Sequence, residues 1–148
     1  MKLPKLRKKR RRKPRVTNVS AAGPDHQVVS VVGGTGYRKT PCDQCPFRVD
    51  QTGKFPAEAF RHSADTAYDA ATKQFGCHMS GSDKPATCAG FLLRNAHNNL
   101  GARMARIDRS QLSDGGLELH GSYRAMAIAN GVDLADPVLA RCRANDQF

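Results

Sequence analysis

The stretch Pro41-Cys42-Asp43-Gln44-Cys45-Pro46 carries the strongest structural signal in the sequence. Two cysteines separated by two residues form a tight turn that directs both sulfur atoms toward one point, which is the arrangement that a tetrahedral metal ion requires. Two further cysteines follow at positions 77 and 88. The spacing therefore predicts a metal site with four sulfur ligands, namely Cys42, Cys45, Cys77 and Cys88.

Two other residues compete for a place in this site. His78 follows Cys77 directly, so an extended segment would turn only one of the two toward the ion, whereas a sharp turn would present both. Cys142 is either a ligand or a small buried apolar side chain, because free cysteines are commonly buried. We therefore treat His78 and Cys142 as alternate ligands.

The ligand set favours zinc, and an iron–sulfur cluster is the alternative. A proline directly follows Cys45, as it follows the last cysteine of some ferredoxin motifs. A redox dithiol is a third interpretation of the cysteine pair, but the βαβ pattern that accompanies such motifs is missing. Since a closed four-thiolate site has no open coordination position, it favours a structural role, and we predict no catalytic residue.

Positive charge is concentrated at the start of the chain. The net charge is +11, and ten of the 24 Lys and Arg residues lie among the first fifteen residues, which contain no acid. The other 14 basic residues are nearly balanced by 13 acidic ones. We therefore predict a disordered basic arm over residues 1–23 and a cysteine-rich, metal-binding helical domain over residues 24–148.

The predicted partner of the arm is the phosphate backbone of DNA or RNA. A block of like charges repels itself and stays extended until it meets a polyanion, and phosphate contacts of this kind carry little sequence preference. The same composition also fits a tail that only keeps the protein in solution or holds acidic proteins. The predicted nucleic-acid-binding residues are Arg7, Lys8, Lys9, Arg10, Arg11, Arg12, Lys13 and Arg15.

Hydrophobic periodicity predicts a mainly α fold, a small helical metal-stabilised domain with one short β-strand. The strand is expected over His26–Val32, where β-branched residues are dense. Helices are expected from Pro56 to about Ala71, from Cys88 to Ile107, over Ser122–Ala129 and from Val138 to about Arg143.

Composition and the lack of a long apolar segment predict a small core and a location inside the cell. Only 39% of the residues are hydrophobic and none is Trp, so the core is small and a metal cross-link would add to its stability. No apolar stretch reaches the length of a secretory signal or a membrane span. An odd number of cysteines without such a signal predicts a cytoplasmic protein with reduced thiols.

Four segments together carry a resemblance to a known group of proteins. They are Pro41–Arg48, Phe75–His78, Cys88–Leu92 and Tyr123–Val132. The pattern resembles a family of small, functionally uncharacterised cysteine proteins of bacteria and their phages, over about residues 40 to 145. In that family a Cys-Arg pair closes the motif, here Cys142-Arg143, so the resemblance implies that Cys142 belongs to the site. It implies no activity.

Three functions fit these features. The first is a metal-binding, nucleic-acid-associated regulatory or accessory protein, related to phages, in which the metal fixes the body and the arm grips phosphates. The second is an iron–sulfur redox protein or enzyme. The third is an inhibitor that binds a host protein.

Overall fold

The computed structural model describes residues 14–23, 26–33, 36–80, 85–105 and 107–143. These residues form a three-stranded antiparallel sheet and four short α-helices, connected by loops and 3-10 turns. The strands are β1 (Arg15–Gly23), β2 (His26–Val32) and β3 (Gln74–Phe75). The helices are α1 (Ala57–Ser63), α2 (Ala89–Asn95), α3 (Leu100–Met104) and α4 (Tyr123–Ala129).

The sheet has the order β1-β2-β3, with β2 in the centre. The strand predicted over His26–Val32 is confirmed. Its partner β1 pairs with it along its length, with two register shifts on the way. On the other side Ser30 pairs with Phe75, and Val31 is completely buried. Strand β2 therefore joins the hairpin to the rest of the body.

The prediction of a mainly α fold is wrong, because sheet and helices share the structure. Residues 15–23, which were assigned to the basic arm, form β1 and bond to β2 instead. The valines in this segment provide the β-branched side chains that a strand favours. The rest of the predicted arm, residues 1–13, lies outside the described residues.

The helices are shorter than hydrophobic periodicity suggested. The first ends at Ser63, where the chain tightens into a 3-10 turn over Ala64–Ala67. The Ser63 hydroxyl donates to the Ala59 carbonyl, and the Thr66 hydroxyl donates to the Ser63 carbonyl. Side chains that bond to nearby backbone in this way compete with a continuing helix.

The long helix predicted from Cys88 to Ile107 is interrupted between α2 and α3. Asn99 caps α3, because its side-chain oxygen accepts from the Ala102 N–H at 2.8 Å. Its amide nitrogen donates to the carbonyls of Thr66 and Lys73, at 3.1 and 2.7 Å. Because the helix is interrupted here, the buried Asn99 side chain can connect the loop of residues 66–73 to α3 by hydrogen bonds.

The elements between residues 122 and 139 agree better with the helices predicted from the sequence. Helix α4 begins after Ser122, whose hydroxyl accepts from the Ala125 N–H. The final helix is reduced to a 3-10 turn over Pro137–Leu139, which Asp136 caps. None of the helices in the described ranges has the length and hydrophobicity that a membrane span requires.

Aromatic rings form the centre of the core. Phe47, Phe75, Phe91 and Tyr123 lie within 6.5 Å of a neighbouring ring centroid, mostly edge to face. The buried Tyr123 hydroxyl donates to the Phe60 carbonyl at 2.6 Å and contacts the Ser63 hydroxyl at 2.7 Å. Rings from the loop after the cysteine pair, β3, α2 and α4 thus meet in one cluster.

We expect Asn99→Ala to lower the free energy of unfolding by about 2–4 kcal/mol, since a buried polar group that loses its partner costs about 1–3 kcal/mol. Two carbonyls and one N–H lose their partner here. Chemical denaturation monitored by circular dichroism would measure the change. Asn99→Asp keeps the volume and the capping oxygen but removes both donated bonds; if that variant were as stable as the parent, the two carbonyl contacts would contribute nothing.

Candidate metal centre

The first two cysteines lie in a turn held by the backbone and by one arginine. The Cys45 N–H donates to the Cys42 carbonyl at 3.1 Å, and the Arg48 N–H donates to the Cys45 carbonyl at 3.1 Å. The Arg48 guanidinium also donates to the Cys42 carbonyl, at 3.3 Å, and is itself fixed by two bonds to Asp50. The turn therefore points both thiols into the core, where Cys42 and Cys45 are 4% and 0% exposed.

The other two cysteines are brought together by short strand pairing. Gly76 and Thr87 form an antiparallel bridge. On either side of it the Cys77 N–H donates to the Ala86 carbonyl and the Cys88 N–H donates to the Phe75 carbonyl, at 2.7 and 2.9 Å. Because the bridge aligns the two segments, Cys77 and Cys88 emerge next to each other at the start of α2.

The four sulfur atoms meet as two pairs. The Sγ atoms of Cys45 and Cys88 lie 3.6 Å apart, and Cys42 shares a hydrogen bond with Cys77. The pairs are also close to each other, since both Cys45 and Cys88 interact electrostatically with Cys77. A disulfide requires about 2.05 Å, and all the cysteines are free and buried. Cys42, Cys45, Cys77 and Cys88, which we call the cysteine centre, thus occupy one buried location.

This centre is not a closed ligand shell as the side chains stand. In the described part of the chain, no group of three or more His, Cys, Asp or Glu side chains is arranged to hold a metal ion. Within each pair, one sulfur instead hydrogen-bonds to the other. The centre therefore has the composition of a four-thiolate site, with its sulfurs turned toward each other in pairs.

Groups next to each of these sulfurs act to lower its pKa. The backbone of Gln44 acts on Cys42 and that of Phe91 on Cys88. The backbone of Phe47 and Gly90 acts on Cys45, and that of Met79 and Ser80 acts on Cys77, together with the Ser80 side chain. Interactions of this kind favour the thiolate over the thiol, and the thiolate is the form that binds metal.

The pairing separates the pKa values of the two partners. A hydrogen bond from Cys42 lowers the pKa of Cys77 to about 5, and the bond from Cys88 lowers the pKa of Cys45. The same two bonds, together with burial, raise the pKa values of Cys42 and Cys88. In each pair the thiolate form is therefore favoured at one sulfur, Cys77 or Cys45, and the thiol form at the other.

The alternate ligands lie elsewhere. The Cys142 sulfur faces the carbonyls of Ala64 and Val138, at 3.7 and 3.9 Å, and burial raises its pKa to about 12. A sulfur that faces acceptors is a protonated donor, which fits a buried apolar side chain. His78 is exposed at the edge of Phe55, with 5.0 Å between the ring centroids.

Three residues that shape the centre were not identified from the sequence. Arg48 and Ser80 contact it as described above, and Gly90 allows α2 to approach it. A Cβ atom at position 90 would lie 3.0 Å from the Cys45 sulfur and 2.7 Å from the Phe47 Cβ. The Cys-Ala-Gly-Phe segment could have indicated this, since a glycine inside a helix often marks a close approach.

The predicted nucleic-acid-binding residues cannot be placed in the same way. Arg7, Lys8, Lys9, Arg10, Arg11, Arg12 and Lys13 lie outside the described residues. Arg15 is described, as the exposed first residue of β1. The arm therefore joins the body directly at the start of the hairpin.

Taken together, fold and site define a small mixed α/β protein built around four buried cysteines. The chain belongs to a family of unknown function, DUF6283, whose sequence profile matches residues 37–143. No curated protein and no solved structure is detectably similar to it. The matched range contains all five cysteines and excludes the β1-β2 hairpin and the basic segment before it.

We expect Gly90→Ala to push α2 away from Cys45 and to lower the free energy of unfolding by about 1–3 kcal/mol, as overpacking of a core does. The rate at which Cys45 reacts with a thiol reagent should rise. Gly101→Ala is the matched control. Gly101 lies in α3, and a Cβ atom there would collide with the Thr72 carbonyl and not with a cysteine. If both variants exposed Cys45 equally at equal stability, Gly90 would have no specific role in holding the centre.

Proposed function

We propose that this protein is a metal-stabilised, nucleic-acid-associated accessory or regulatory protein. In this proposal Cys42, Cys45, Cys77 and Cys88 hold a zinc ion that fixes the body, and the basic arm binds nucleic-acid phosphates. The observation that supports the proposal is the burial of all four cysteines, with a contact of 3.6 Å between the sulfurs of Cys45 and Cys88.

The chemistry of the cysteine centre suits a single soft ion. Two sulfurs bound to one tetrahedral zinc at about 2.3 Å lie roughly 3.8 Å apart, and the Cys45–Cys88 distance of 3.6 Å is close to this value. In a four-iron cluster each cysteine binds a different iron atom, which would keep the sulfurs farther apart. The short separation therefore favours a mononuclear site over that cluster.

The four sulfurs also belong to three separate parts of the chain. Cys42 and Cys45 belong to a loop, Cys77 follows β3, and Cys88 precedes α2. An ion bound to all four would cross-link these segments inside a small core. Because metal binding then contributes directly to folding, the bound ion would act structurally, and its chemistry would be that of a closed site.

Cys45→Ser should release the metal and lower the melting temperature, whereas Cys142→Ser should keep the metal. The difference follows from their surroundings, since Cys45 contacts Cys88 and Cys142 faces two carbonyls that a serine hydroxyl would also satisfy. Elemental analysis of anaerobically purified protein, with thermal unfolding, makes the measurement. Full metal content in Cys45→Ser, or loss of metal in Cys142→Ser, would contradict the assigned ligands.

The same preparation decides which ion is present. A colourless protein containing one zinc per chain is expected. A brown protein that contains iron and sulfide and absorbs at about 400 nm would instead support the iron–sulfur alternative.

The nucleic-acid part of the proposal rests on charge. Ten basic residues precede residue 16, and the first described strand begins at Arg15. A cationic segment attached to a compact body suits contact with phosphates, because neutralising them releases condensed counterions. We also propose a cytoplasmic location, an origin in bacteria or their phages, and that the cysteine segments are the family's shared motif.

Replacing the seven basic residues 7–13 by Ser and Gly in the full-length chain should remove most of the salt-dependent binding to DNA or RNA. Each phosphate contact contributes roughly 0.9 to the slope of log affinity against log salt, so the slope should fall by several units. Fluorescence anisotropy across a salt series measures it. Unchanged affinity and slope in this variant, with an intact circular dichroism spectrum, would exclude the arm as the binding element.

A further inference from the structure

A second concentration of positive charge lies on the body, far along the chain from the arm. It consists of His97, Arg103, Arg109, Arg141 and Arg143 together with the carboxylate of Asp69, and we call these six residues the arginine face. Two surface depressions, of about 230 and 390 Å³, open on it and share Asp69 and Arg143. The face is thus a shaped surface, and it is assembled from residues of five separate segments.

Contacts within the face fix two of the arginines. Arg143 makes two bonds to the Asp69 carboxylate, at 2.7 and 3.0 Å. The Arg141 guanidinium lies over the Tyr68 ring, 4.6 Å from its centroid. Asp69 is held in turn by the Asn98 amide at 3.2 Å. These cations are therefore already oriented, and little conformational entropy would be lost when they bind an anion.

The arginine face carries more positive charge than the carboxylate of Asp69 can neutralise. Arg103 and Arg109 are exposed and make no ion pair within the described ranges. Three arginines thus lie near Asp69 and a fourth, Arg109, lies near His97, although basic and acidic residues are nearly balanced beyond the first fifteen residues. Burial, Arg109 and Arg143 lower the pKa of His97, which is the effect expected of neighbouring positive charge.

We propose that the arginine face is a second nucleic-acid contact, which binds backbone phosphates independently of the arm. The inference rests on the proposed function and adds a surface to it. Planar guanidinium groups match the geometry of phosphate oxygens, and clustered arginines at exposed positions are the usual means of gripping a phosphate backbone. With a basic segment and a preorganised face on one chain, the protein would hold its nucleic acid at two points and gain affinity from their linkage.

Arg103→Glu in the full-length chain tests the face. The control is Lys54→Glu, which makes the same change in net charge at an exposed residue near Asn130. Arg103→Glu should weaken binding to duplex DNA or structured RNA severalfold more than Lys54→Glu, and it should lower the salt slope by at least roughly 0.9, the value for one phosphate contact. Equal effects of the two substitutions would overturn the proposal.

Asp69→Asn provides a change of opposite sign. It removes the one negative charge on the face and keeps an oxygen for the Asn98 amide. Affinity for nucleic acid should rise by a few fold at low salt, because one more arginine is left to contact phosphate. An unchanged or weaker affinity in a variant with normal circular dichroism would count against a phosphate-binding face.

Two further measurements separate this inference from the proposed function. If the unaltered full-length chain binds neither DNA nor RNA, the proposed function fails. If it binds, and Arg103→Glu behaves like Lys54→Glu, only the arginine face is refuted. Polyglutamate serves as the competitor: displacement of nucleic acid from the arm-neutralised chain by polyglutamate of equal charge and concentration would show that the face recognises acidic protein, and would overturn the proposal.

Discussion

The burial of four cysteines from separate elements, two of them in direct contact, is the constraint on which the remaining structure depends. A turn, the end of a two-residue strand and the start of a short helix must all reach one point, and none of these elements is long enough to be stable alone. Neighbouring features serve that convergence. Gly90 allows α2 to approach, Arg48 closes the turn, and the Gly76–Thr87 bridge sets Cys77 beside Cys88. The aromatic cluster then packs against the same elements and excludes water from one side.

Part of this arrangement could be predicted from the sequence. The density of β-branched residues located β2, because that signal is local and strong. That the four cysteines form one metal site stays a prediction. The first strand was missed because its two register shifts disturb the alternation that marks a strand and because basic residues precede it. A valine every third residue, at positions 16 and 19, and Gly23 before a proline were the available hints.

Other features could not be predicted because they depend on tertiary contacts. The interruption between α2 and α3 is explained by Asn99, which forms bonds to carbonyls 33 and 26 residues earlier in the chain. In the sequence it is only one of two adjacent asparagines. The arginine face is a stronger case, since its members are scattered from position 69 to position 143 and no short motif connects them. Charge counts along the chain predict the arm, but they do not reveal this surface, because its residues are far apart in the sequence.

The β1-β2 hairpin lies outside the range that the family profile matches, but it is hydrogen-bonded to that range. Similarity begins at residue 37, yet the Gly76 N–H bonds to the Val29 carbonyl, and a side chain at position 76 would collide with that oxygen at 2.7 Å. The physical unit is therefore longer than the conserved one. A chain that began at residue 37 would leave one side of β3 with unsatisfied hydrogen-bonding groups, an open edge that invites a strand from elsewhere. In this protein the β1-β2 hairpin covers that edge, so the hairpin also protects the matched region from pairing with a strand of another molecule.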